Sequence, residues 1–151
     1  MKKLFGVICL SLLGVSAQAQ CDTKVMESFG GTASVAMYNT YLTIGAIADG
    51  YVNESYDAER VKALMAEQVG MMTNLITQMK DALAAEKSGL LEDDRVYINE
   101  MILCLSYLKD EAQGLQDYAT DELETSQQKY NTNRNLAWDK IEDLLGLGVE
   151  E

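Results

Sequence analysis

Three stretches of the chain repeat apolar residues at alternating spacings of three and four. That is the period of a helix with one buried face. In the first, Val61, Met65, Gln68, Met72, Leu75, Met79 and Ala82 recur in register, and Leu64, Ile76 and Leu83 widen the face. The pattern predicts a helix over about 57–87. In the second, Ile98, Met101, Leu105, Leu108, Ala112, Leu115 and Ala119 alternate without a miss, with Ile102 and Cys104 beside them. This predicts a helix over about 91–119. In the third, Tyr130, Ala137, Ile141 and Leu144 mark an inner face flanked by Leu136, Trp138 and Leu145, over about 122–145.

A fourth stretch lacks polarity in a different way. Residues 28–48 contain no charged residue. They are numerous enough to cross a bilayer, which takes about 20 apolar residues. Their content speaks against that. Ser28, Thr32, Ser34, Asn39, Thr40 and Thr43 are polar, Tyr38 and Tyr41 are amphipathic, and Gly30, Gly31 and Gly45 dilute the rest. A helix uncharged on all sides is buried in protein or in lipid, and this polar content favours protein. The expectation is a helix over about 32–52, entered at Gly30–Gly31, around which the other three pack.

Local signals agree with these spans. Ser55 or Asp57 can accept hydrogen bonds from the free first-turn amides of the 57–87 helix. Lys87 and Gly89 resemble a helix stop. Glu92, Asp93 and Asp94 place negative charge at the positive end of the next helix dipole. Thr120 or Asp121 can cap the last helix, with Glu124 as a reciprocal partner of Asp121, and Gly146 and Gly148 end it. The run 130–135, YNTNRN, is poor in helix formers and predicts a polar patch or an irregularity. No proline occurs anywhere, which suits long helices. Four helices of similar length with short connections predict an all-α, antiparallel up-down-up-down four-helix bundle.

The N-terminus changes the picture of where this bundle resides. Lys2 and Lys3 precede an apolar run, Leu4 to Val15, and Ala17–Gln18–Ala19 is a small-x-small cleavage pattern. Together they read as a bacterial-type signal peptide over 1–19, cleaved after Ala19, leaving a single bundle domain over 20–151 that is secreted or periplasmic and not membrane-spanning. Cys21 is not expected to be lipidated, because Gln18 and Gln20 occupy the places where that processing needs an apolar and a small residue. The whole chain carries 12 basic and 24 acidic residues, a net charge of −12, and removal of Lys2 and Lys3 would leave 10 basic and 24 acidic. Such a surface disfavours nucleic acid and anionic membranes.

Chemistry is mostly excluded by what is missing. There is no histidine, which removes histidine-based triads, the ExxH di-iron motif and the commonest zinc ligand. Gly30–Gly31 lacks the lysine and strand context of a phosphate loop. The acidic clusters, among them Asp110–Glu111, read as helix-end and solvated charge, with Asp94 alone near an inner stripe. The expectation is a protein with no catalytic residues and no cofactor. Cys21 and Cys104 would be a candidate disulfide pair in an oxidising compartment. Against it, about 25 Å of helix would separate the two levels if the intervening chain were helical, and the other reading of Cys104 is a small core residue.

Two side-chain sets are candidates for ligands. Met65, Met72 and Met79 lie seven apart and, with Met101 and Cys104, form the soft-ligand set that selects Cu(I). The same methionines also suit gap-filling in a core. Tyr38, Asn39 and Tyr41, with Gln68 and Asn133, are candidates to line a small-ligand pocket. The leading expectation is a non-enzymatic bundle that binds another protein, as an inhibitor, an immunity-type protein or a chaperone or adaptor. A small-ligand or Cu(I)-binding bundle is the alternative.

Overall fold

The structure, a computed structural model, describes residues 4–85 and 90–147, with side chains from residue 24 onward. The described residues form four helices: α1 (Leu4–Val52), α2 (Ala58–Ala84), α3 (Glu92–Asp121) and α4 (Glu124–Leu145). They pack on one another as an all-α four-helix bundle. Two compact units divide the chain, residues 1–32 and 33–151. In the first, Thr32 Oγ1 donates to the Ser28 carbonyl at 2.8 Å, and Val25 and Phe29 are exposed. The bundle core lies in the second. Among the described residues no helix is long and apolar enough to cross a membrane.

Helix ends follow from local chemistry. Asp57 Oδ1 accepts from the Arg60 amide at 2.7 Å and so caps α2. The Leu91 amide donates to Asp94 Oδ2 at 3.3 Å, so Asp94 serves the α3 entrance. Glu122 adopts a left-handed conformation (φ 54°) that closes α3, which is why α4 starts at Glu124 and not at 122. Asp121 ends α3 and still supports the next helix, accepting from the Leu123 amide and the Ser126 hydroxyl, each at 2.9 Å. The expected stops at Lys87, Gly89 and Gly148 lie outside the described residues. Gly30–Gly31 is helical where the sequence suggests a break. Glycine in a helix costs about 1 kcal/mol but removes no donor, unlike proline.

The core corrects the expectation about the central helix. It is α3, not α1, that is buried on the most sides. All seven members of its predicted stripe are buried, and so are Ile102, Cys104, Glu111 and Gly114. α2 and α4 pack along it. α1 buries Ser34, Met37, Ile44, Gly45, Ile47 and Ala48, but leaves Val35, Asn39, Leu42 and Ala46 in solvent. α2 departs from its predicted stripe too. Val61, Met65, Met72 and Ile76 are buried, while Leu75 is 47% exposed. A straight helix of period 3.6 drifts against a strict seven-residue repeat, so the buried line passes from Met72 to Ile76 rather than Leu75. In α4 the YNTNRN run stays helical throughout and forms a polar patch.

Candidate functional site

The inward-facing member of that patch is Arg134. Its Nη1 donates to Glu111 Oε1 of α3 at 2.7 Å and to the Tyr41 carbonyl of α1 at 3.4 Å. Its guanidinium carbon lies 4.0 Å over the Tyr41 ring and 6.0 Å from the Tyr130 ring, within the range of cation–π attraction. One side chain therefore ties three helices. Gly45 makes this possible: a Cβ there would stand 2.6 Å from Arg134 Nη2. Gly114 lets α3 and α4 meet beside the cluster, since a Cβ there would stand 2.6 Å from the Tyr130 backbone nitrogen.

Glu111 is 0% exposed, and its Oε2 has no hydrogen-bond partner among the described residues. Burial pushes its carboxyl up to about 7, against the hydrogen bond and charge of Arg134, which act to lower it. Arg134 responds the other way. Burial acts to lower it, but the hydrogen bond it donates to Glu111 and the nearby Tyr130 outweigh this and keep it cationic. The difference follows from exposure: the Arg134 side chain keeps 26% of its surface in solvent and Glu111 keeps none. Burial also pushes the Tyr130 hydroxyl up to about 12 and raises Tyr41.

Next to this cluster, Trp138 of α4 packs on both tyrosines of α1. Its ring centroid is 6.2 Å from that of Tyr38 and 5.5 Å from that of Tyr41, both tilted. Two of the pocket candidates, Tyr38 and Tyr41, thus share the indole of Trp138, and Tyr41 also faces the Arg134 guanidinium. Asn39 lies on the exposed face of α1. Asn133 donates to the Lys129 carbonyl of its own helix at 2.9 Å. Gln68 is half-buried on α2. Ser34 makes a separate polar tie to α3, with its hydroxyl 2.9 Å from that of Tyr97.

The sulfur set is placed differently. Met65, Met72, Met101 and Cys104 are buried and Met79 is half-buried. Cys104 is a free thiol, pushed up to about 12 mainly by burial, with Lys140 lowering it and Glu111 raising it. A thiolate ligand must lose its proton, so at neutral pH this position is a buried neutral thiol. The Cys21 side chain lies outside the described residues. Among the described residues no group of three or more Cys, Asp or Glu could hold a metal ion.

Glu111 and Arg134 do not stand out in the sequence, where Asp110–Glu111 reads as solvated charge. A signal existed. Glu111 falls seven residues after Cys104, in the line Cys104, Leu108, Glu111, Leu115, a second buried face of α3.

A further feature lies on the exposed face of α1. Val35 and Leu42 are 51% and 45% exposed. With Asn39 and Ala46 they form an exposed line spaced four, three and four residues apart. Met71 and Leu75 of α2 are exposed as well. No family model, curated protein or solved structure matches this chain.

Proposed function

We propose that this chain is a secreted or periplasmic protein that acts without catalysis, by binding another protein through the outer stripe of α1. One observation carries the reading. On a chain of net charge −12, residues 28–48 hold no charge, and Val35 and Leu42 stand half-exposed along that segment. Exposed apolar residues at helical spacing are what a partner helix or groove reads, as anchors at i, i+3, i+4 and i+7. The compartment is argued from the N-terminal pattern of Lys2–Lys3, apolar run and Ala17–Gln18–Ala19. Inhibitor, immunity-type and chaperone or adaptor roles are all compatible with such a stripe.

The test pairs Val35→Glu with Leu42→Glu in one variant and uses Val96→Glu, an exposed apolar position on α3, as the control. Wild type and the control should enrich the same discrete protein from an extracellular or periplasmic extract. The double variant should lose it while keeping its far-ultraviolet circular dichroism. Equal capture by the double variant would remove the stripe from the binding role, and no enrichment by wild type would remove the role itself.

A further inference from the structure

The Glu111 carboxylate is an odd group to enclose. One oxygen meets Arg134, and the other meets no donor among the described residues although Glu111 is fully buried. A buried charged oxygen without a partner costs free energy that water would return. The ties around it are unequal. α4 is held to α3 by Lys129–Asp117 and Lys140–Glu100, each at 2.8 Å, and by the close approach at Gly114. Among the described residues no ion pair joins α1 to another helix. Around Glu111, α1 is held through the Arg134 guanidinium and through Tyr38 and Tyr41 against Trp138.

We propose that Glu111 links opening of the α1–α4 seam to proton release: the closed seam retains a proton on the buried carboxyl, and its loss favours an open seam in which the carboxylate reaches water. The proton passes between Glu111 and solvent, and Arg134 stays cationic in both forms. The groups coupled to Glu111 are Arg134 and Tyr130 of α4, Tyr41 of α1 and Cys104 of α3; among the described residues α2 contributes none. Beyond them, Tyr38 acts on Tyr41, Asp49 of α1 acts on Tyr130 and Lys140 acts on Cys104. Tyr130 and Cys104 lie near 12, and Tyr41 and Arg134 are raised from values already alkaline. Glu111, near 7, is therefore the member of the cluster that titrates around neutrality. The sign follows from linkage. The closed form holds the proton more tightly than an open form with an ordinary carboxyl, so rising pH favours opening. The inference does not depend on the binding role proposed for the outer stripe of α1.

Hydrogen exchange read by mass spectrometry on peptides from residues 33–52, corrected for intrinsic rates, measures the opening directly. Between pH 5 and pH 8 the opening constant of wild type should rise by roughly two orders of magnitude. Trp138 emission should shift over the same range. Glu111→Gln should show neither change. A flat wild-type profile, or a Glu111→Gln variant that keeps the rise, overturns the proposal. If Glu111→Gln fails to fold, pH-difference infrared spectra of wild type decide. A protonated-carboxyl band that disappears through neutrality together with the exchange rise supports the proposal, and its absence overturns it.

Discussion

Glu111 and Gly114 sit three residues apart on α3 and solve opposite problems. Glu111 brings a carboxylate into the core and answers half of it with Arg134. Gly114 brings nothing, and that absence lets the α4 backbone come close. A Cβ there would stand 2.6 Å from the Tyr130 nitrogen and 2.8 Å from its Cα. Neither atom can rotate away, so Gly114→Ala must push two helices apart. We expect it to destabilise by about 1–3 kcal/mol despite the better helix propensity of alanine, as overpacked sites do. Urea denaturation of the two proteins side by side measures this. Gly45 differs, because its neighbour is the end of a long side chain. A methyl group there displaces Arg134 rather than a helix.

At the scale of elements, a helix face is legible where an unbroken apolar stripe marks it and less so where a charged residue, or a lack of charge, stands in the pattern. The α3 stripe from Ile98 to Ala119 was read correctly because strict alternation marks it. The second α3 face, through Cys104, Leu108 and Glu111, was obscured by the charge of Glu111 itself. In α2, Leu75 and Ile76 compete for the same line, and only the drift of a straight helix chooses between them. In α1 the absence of charge suggested burial on every side. Absence of charge permits burial without requiring it, and α1 instead presents Val35 and Leu42 to solvent. End signals were more local and so more legible. Asp57 caps α2 as its position suggests. Asp57→Ala should therefore cost about 1 kcal/mol, seen as a lower thermal midpoint with unchanged helix content.

At the scale of the molecule, pH acts through carboxyls of opposite character. Asp117 is held below its usual value: burial acts to raise it, but hydrogen bonds from Lys129 and Gln113 prevail, so its contribution is lost as pH falls. Glu111 behaves in reverse. Its folded value lies near 7, above the ordinary 4.5, so its contribution is fully present below about pH 4.5 and is lost as pH rises towards 7. The stability of wild type minus that of Glu111→Gln isolates this term. The difference should fall by about 3 kcal/mol between pH 4.5 and pH 8, which urea midpoints across that range check; a difference that rises with pH would reverse the assignment. The sequence by itself determined the four-helix, all-α bundle, because helix periodicity, caps and a lack of proline act over a few residues. The tertiary structure decided that α3 is the inner helix, that Arg134 meets Glu111, Tyr41 and Tyr130 at one junction, and that α1 keeps an open stripe. Those outcomes depend on which faces meet across nearly a hundred residues of chain, as Tyr41 and Arg134 do, and no local pattern encodes that distance.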